Sequence, residues 1–393
     1  MSYNIDIFLN NKLISCDTIV PFIMSLQKID GSIKANYYMI DYRGFSDIKN
    51  NQFLYYSLKK TGELILIGST GNHSKLKKIY LKLKTLLFLL KLFLKLFLGK
   101  TKIFHFGALS YKPYNILTLF FSKIIFRFEA SSWISHKNGK IFDNLLNQRN
   151  LVVQENYYVN KYKVYFNSSF IKEKGKKNSI LMISPRTYRT WYEHVIQFGV
   201  PKCKSFLKDI NYTYEKGYFV YIMGHIGHLE GMEDANKSLE LLIPKTLKLL
   251  STYSEGLPIL VKPHSVTNMD ILHKIIEKHN FNNVYITYLH TAVLSVNAKL
   301  VVSNYFSNTQ ADAYFFGATT VEFTHYSKLA LKKLKGKSIN PNYIDYFINN
   351  DENKFKSIIQ KSLSSKNKNK VRNIYEDFEQ SSKVRSFYKN YII

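Results

Sequence analysis

Short apolar runs recur along the chain with longer amphipathic stretches between them, an alternation that predicts β-strands connected by helices. Residues 5–9, 37–40, 63–67, 102–106 and 124–128 read as strands of a first unit, with helices over 76–98 and 114–122. A second series begins near Ser179, with strands at 180–183, 218–223, 259–261, 284–286, 300–302 and 320–323. Helices over 238–251, 269–279 and 309–316 fit between them. Strands alternating with helices imply largely parallel sheets covered on both faces. The predicted fold class is therefore α/β: two Rossmann-like domains facing a cleft, with C-terminal helices. The expected domains are 1–165 and 178–330, joined through the polar Asn/Lys-rich stretch 131–177, with a helical tail over 331–393.

The helix expected over 76–98 differs from the others. Lysines interrupt it so often that its longest uncharged run is 85–90, too short to span a bilayer. At about 100° per residue Lys77, Lys84, Lys91 and Lys95 fall in a narrow sector, while Leu and Phe cover most of the remaining circumference, broken by Lys78 and Lys82. That is the pattern of a helix lying in a membrane interface with lysines available to anionic headgroups. An ordinary helix flanking a sheet has a narrower apolar arc.

The formal charge of +28 attracts polyanions, whether nucleic acid, an anionic membrane or charged substrates. Joint overuse of Lys, Asn, Ile, Tyr and Phe is also what an AT-rich genome produces without any partner. No Arg-rich arm, helix-turn-helix spacing or RNP-like aromatic motif is present, so nucleic acid is not expected as a partner. Cys16 and Cys203 stand far apart with no CxxC, which points to a reducing compartment and away from structural zinc. The first residues carry Asp6 where a secretory signal needs a basic residue, so a cytoplasmic location, peripheral to the inner membrane, is expected.

Polar groups gather at the ends of the predicted strands. Lys262-Pro263-His264 ends one; Pro263 stops the pairing and leaves a lysine and a histidine to meet phosphate oxygens. Ser303 ends another, followed by Ser307, Asn308 and Thr309 at the start of a helix whose free N–H groups suit a phosphate. Ser307 or Asn308 also suits a plain helix cap. Asp312, one turn on, is placed either to reach a ribose hydroxyl or to complement the helix dipole. Gly224 opens a loop, 224–230, that permits close backbone approach to a ligand, and Arg186 adds charge to the same region. His225, His228 and Glu230 in that loop fit no familiar metal spacing, so no metal is expected and Glu230 is held as a reserve acid or base. Glu129, at the end of the strand 124–128, is the candidate general base or nucleophile, with a salt bridge to Arg127 or a nearby lysine as its structural alternative.

Lys262-Pro263-His264, then Leu294-Ser295 and Ala298-Lys299-Leu300-Val301-Val302-Ser303, Ser307 and Gly317…Thr320-Val321-Glu322-Phe323 resemble the donor-binding half of GT-B glycosyltransferases. The pattern is similar to bacterial sialyltransferases and the β-Kdo transferases of capsule and lipopolysaccharide synthesis. The resemblance implies a metal-independent glycosyltransferase that needs no cofactor beyond its donor and moves an acidic sugar from a CMP-linked donor onto a surface glycan or lipid-linked glycan. It further implies an acceptor-side first domain and a nucleotide-sugar-binding second one. His264 then resembles the phosphate-binding histidine, Ser303 or Ser307 the serine motif, and Glu129 the catalytic carboxylate. CDP-polyol transferases share a similar Lys-Pro-His…Ser pattern, so a CDP-polyol or UDP-sugar donor is the alternative. A non-catalytic polyanion- or membrane-binding protein is the reading from another class.

Overall fold

The computed structural model describes residues 3–9, 13–70, 74–110, 112–130, 151–154, 179–183, 188–224, 233–264, 267–305, 307–338, 343–364, 372 and 377–393. The chain divides into two compact units, Met1–Tyr162 with Phe166–Glu193 and Tyr375–Ile393, and Lys163–Tyr165 with His194–Ile374.

The first unit contains β1 (Asn4–Leu9), α1 (Leu13–Ile29), β2 (Lys34–Asp41), α2 (Tyr42–Asn50), α3 (Gln52–Thr61), β3 (Gly62–Thr70), α4 (Lys75–Phe97), β4 (Thr101–His105), α5 (Ile116–Phe120), β5 (Ile125–Ala130), β6 (Leu151–Gln154) and β7 (Ser179–Ile183). Its strands form one parallel sheet in the order β3-β2-β1-β4-β5-β6-β7. Strands buried on both faces need apolar residues at odd and even positions alike, which is why they read as runs. On one face Leu89, Leu92 and Leu96 of α4 meet Phe8, Tyr38, Ile103 and Ile125. On the other, the Phe22 ring of α1 lies 6.1 Å from Phe104 and 5.5 Å from Phe128.

The second unit follows α6 (Arg189–His194) and contains α7 (Val200–Asp209), β8 (Tyr218–Ile222), α8 (Glu233–Tyr253), β9 (Ile259–Lys262), α9 (Met269–Lys278), β10 (Val284–Ile286), α10 (Thr291–Ser295), β11 (Ala298–Ser303), α11 (Asn308–Phe315), β12 (Thr319–Thr324), α12 (Lys328–Lys333), β13 (Tyr346–Asn349) and α13 (Glu352–Ser364). Its parallel sheet has the order β10-β9-β8-β11-β12-β13. Phe323 of β12 stacks on Phe355 of α13 at 4.4 Å.

Three expectations change. The run 180–183 does not open the second sheet; as β7 it pairs with β6 and closes the first, because a parallel edge accepts any apolar strand in register. The stretch expected as a linker contains β6, and the rest of 131–177 lies outside the described residues. The residues after 330 are not a separate tail. β13 extends the second sheet beside β12 and α13 covers it, while α14 (Asp377–Phe387) belongs to the first unit. There Phe387 packs 5.4 Å from Phe22 and 5.3 Å from Phe126.

Candidate functional site

In the second sheet the chain runs from β8 outward through β9 and β10, then returns to the opposite edge of β8 as β11. That reversal makes the carboxyl ends of β8 and β11 a topological switch point, where open α/β sheets hold their ligands. Register aligns Lys262, Ile222, Ser303 and Glu322 in one row across β9, β8, β11 and β12. The preceding row, Val261, Tyr221, Val302 and Val321, faces the main core. Side chains alternate along a strand, so Lys262, Ser303 and Glu322 share the other face.

Ser303 is buried and its Oγ has no hydrogen-bond partner among the described residues. Gln310 of α11 donates from Nε2 to the carbonyls of Val301 (3.4 Å) and Val321 (2.9 Å), yet its buried Oε1 is likewise unpartnered. Thr324 Oγ1, two residues past Glu322, is a third such atom. Buried polar atoms are nearly always paired, so three orphaned ones close to the switch point make this sheet end the candidate site.

The loop after Ser303 is held rigidly. Asn304, fully buried, donates to Thr246 Oγ1 at 2.8 Å and to the Phe323 carbonyl at 2.9 Å, and its Oδ1 accepts the Tyr221 hydroxyl. Burial raises the Tyr221 phenol well above its ordinary range, which keeps it a neutral donor. Ser307 caps α11: its Oγ accepts from the Thr309 amide at 3.4 Å and lies 2.9 Å from Thr309 Oγ1. The capping alternative is therefore realised by Ser307. Asn308 begins the helix, with its side chain outside the described residues. Asp312 is buried in the same helix.

Pro263 is buried and ends β9, leaving His264 exposed, with its carbonyl accepting from the Thr267 amide at 2.9 Å before Asn268 caps α9. Lys262 turns toward the β10 side, where Nζ donates to the Tyr288 carbonyl at 3.3 Å and sits 5.8 Å from that ring. The sequence brings Lys262 and Ser303 onto one row; the structure adds that the ammonium leans away from β11. Gly224, just past β8, is packed so closely that an added Cβ would meet Leu239 Cδ2 at 3.1 Å. Arg186 and Glu230 lie outside the described residues.

Sequence reasoning took Asn304 only as part of the polar stretch 303–309 and did not single out Gln310 or Glu322 as site residues. Glu322 is buried, accepting the Tyr326 hydroxyl at 2.6 Å and the Ser338 hydroxyl, so it anchors the segment after β12. The signal for Glu322 was a charged residue inside an apolar run, which a buried strand tolerates only with partners.

In the first unit, Glu129 is the penultimate residue of β5, in register with Val153 of β6, and its side chain lies outside the described residues. Two rows back, His105 of β4 pairs with Phe8 and Arg127, and burial, then the Arg127 charge, hold its imidazole well below the usual histidine range. Buried Asp6 accepts from Asn36 Nδ2 at 2.8 Å and from the Tyr38 hydroxyl at 3.0 Å. Among the described residues no three His, Cys, Asp or Glu side chains are grouped to hold a metal.

No family model matches the chain, and no curated protein matches it in sequence. Solved structures do match over the whole length. UDP-GlcNAc 2-epimerase of Methanocaldococcus jannaschii, in complex with UDP-GlcNAc and UDP, has a TM-score of 0.54 at 16% identity, covering 98% of this chain and 99% of that one. UGT89C1 of Arabidopsis thaliana, complexed with UDP, gives 0.52 at 11% identity with 100% of each chain covered. UDP-GlcNAc 2-epimerase of Neisseria meningitidis, bound to UDP-GlcNAc, gives 0.51 at 13% identity, covering 98% and 100%. The nucleotide in all three is uridine-based, not the cytidine nucleotide expected from the sequence. With two parallel-sheet α/β domains and this likeness over the full chain, the protein has the GT-B fold of paired Rossmann-like domains.

Proposed function

We propose that the chain is a glycosyltransferase that takes its sugar from a nucleotide-activated donor, with a UDP-sugar as the favoured donor. The observation that carries this is the Ser303 hydroxyl, unpartnered among the described residues, in one row with Lys262, at the switch point and joined by a short loop to the start of α11. Ser303 Oγ and the N-terminal end of α11 suit a phosphate, and Lys262 supplies charge and His264 a hydrogen-bond donor to a departing nucleotide. Binding would exchange the Lys262 contact with the Tyr288 carbonyl for a phosphate oxygen, a stronger charge-assisted bond. Glu129 would deprotonate the acceptor hydroxyl or attack the anomeric carbon, with no metal or other cofactor required.

UDP is favoured over CMP because the similar structures hold UDP or UDP-GlcNAc. A CMP-linked acidic sugar of the Kdo or sialic-acid type is the second reading, carried by the Lys262-Pro263-His264 segment. The acceptor on either reading is a bacterial surface glycan or its lipid-linked precursor, met at the cytoplasmic face of the inner membrane.

A thermal-shift comparison of UDP, CDP, CMP and GDP tests the donor class, with UDP expected to raise the melting temperature most. A larger CMP shift transfers the proposal to the second reading, and no shift with any nucleotide overturns both. Turnover with the preferred donor should be unchanged by a chelator. The Glu129→Gln variant should keep nucleotide binding and lose at least about 100-fold in kcat.

A further inference from the structure

Helix α4 carries two apolar faces, and the sheet covers one of them. Thr85, Leu89, Leu92 and Leu96 are buried. Leu83, Leu87, Leu90 and Leu94 remain 55–63% exposed, and Leu76 and Phe97 at the two ends are 81% and 75% exposed. At about 100° per residue the exposed apolar positions fill an arc of roughly 120° on the side of the helix away from the sheet. Lys84 and Lys91 border that arc along one edge and Lys75 and Lys82 along the other, all exposed. Lys95, expected to join the first edge, instead turns inward to 3.8 Å from Asp6. Beside the helix, Phe93 packs 5.7 Å from Phe120 and 4.7 Å from Phe121, fixing α5 so that Leu119 and Phe120 stay 77% and 64% exposed. Among the described residues no helix is long and apolar enough to cross a membrane.

We propose that α4 and the tip of α5 form a surface that lies flat in one leaflet of an anionic lipid bilayer, leucines and phenylalanines among the acyl chains and the bordering lysines against headgroup phosphates. The charge pattern identifies the occupant. A protein partner or a second copy would cover the leucines without needing lysines along both borders, whereas a charged interface lies at the depth where lysine amines reach when the apolar arc is immersed.

Co-sedimentation of the full chain with phosphatidylcholine vesicles, with and without phosphatidylglycerol, tests it. The chain should pellet with the phosphatidylglycerol vesicles. The variant Leu87→Gln/Leu90→Gln/Leu94→Gln, which alters only exposed positions, should weaken binding at least about tenfold. The pair Lys84→Gln/Lys91→Gln, whose exposed charges are not needed for folding, should weaken binding roughly fivefold per lysine and reduce the dependence on phosphatidylglycerol. Unchanged binding in both variants, or no binding by the natural chain, overturns the proposal. So does light scattering that finds a dimer which the leucine variant dissociates.

Discussion

Asn304 takes the Tyr221 hydroxyl on its side-chain carbonyl and so ties the end of β11 to β8 across the switch point. Its amide also reaches Thr246 and the Phe323 carbonyl, so one side chain braces two further elements. Tyr221→Phe leaves the buried Asn304 Oδ1 without this donor and should cost about 1–3 kcal/mol, while Asn304→Ala breaks all three bonds and should cost more. Urea unfolding of the two variants should rank them in that order, and only Asn304→Ala should also weaken nucleotide binding.

Ser303 makes the opposite case. Its hydroxyl bonds nothing among the described residues, so Ser303→Ala should leave stability within about 0.5 kcal/mol of the natural chain. Nucleotide affinity should fall roughly tenfold, the worth of one charge-assisted hydrogen bond. Titration calorimetry beside thermal unfolding separates the two quantities; lost stability with retained affinity would make the hydroxyl structural.

His105 gives the first unit a dependence on acid. Burial, and after it Arg127, depress its folded-state pKa, so below the ordinary histidine value the unfolded chain binds a proton that the folded chain refuses. Stability is therefore full at neutral pH and falls as pH drops below about 6.5, by at most about 1.4 kcal/mol per pH unit. In urea unfolding across that window, His105→Gln should lose less stability on acidification than the natural chain.

Phe387 fills the aromatic face of the first sheet from the far end of the sequence, within 5.4 Å of Phe22 and 5.3 Å of Phe126. Phe387→Ala should cost about 3–5 kcal/mol. Hydrogen exchange should locate the loss in β1, β4 and β5 and spare β8 through β12.

Much of the fold was legible because buried parallel strands write themselves as apolar runs. β1 through β5 and β8 through β12 were all expected within a few residues of their observed bounds. Helix α1 was not, since Pro21 sits inside it and Ser and Asp interrupt its apolar positions. Burial of Ile19, Val20, Phe22, Ile23 and Leu26 outweighs that local cost. β13 escaped because a four-residue edge strand with one buried isoleucine carries little pattern. At the site, the strand-end residues Lys262, Ser303 and Ser307 were legible from local chemistry. Register was not, and only register reveals that Lys262, Ser303 and Glu322 share a row and that Asn304 belongs to the opposite face. The contact between Lys95 and Asp6 was equally hidden, because a helical wheel assigns faces without knowing which one the sheet will take.

The return of α14 to the first unit sets an order of events during synthesis. Residues 377–393 emerge from the ribosome after the entire second unit, at roughly 5–20 residues per second. Until then Phe22, Phe104 and Phe126 lack their last aromatic neighbour, and the first unit waits unfinished while the second completes itself. The half made first is therefore the half sealed last, and a nascent chain stalled before residue 377 would present that phenylalanine face to chaperones or to other nascent chains.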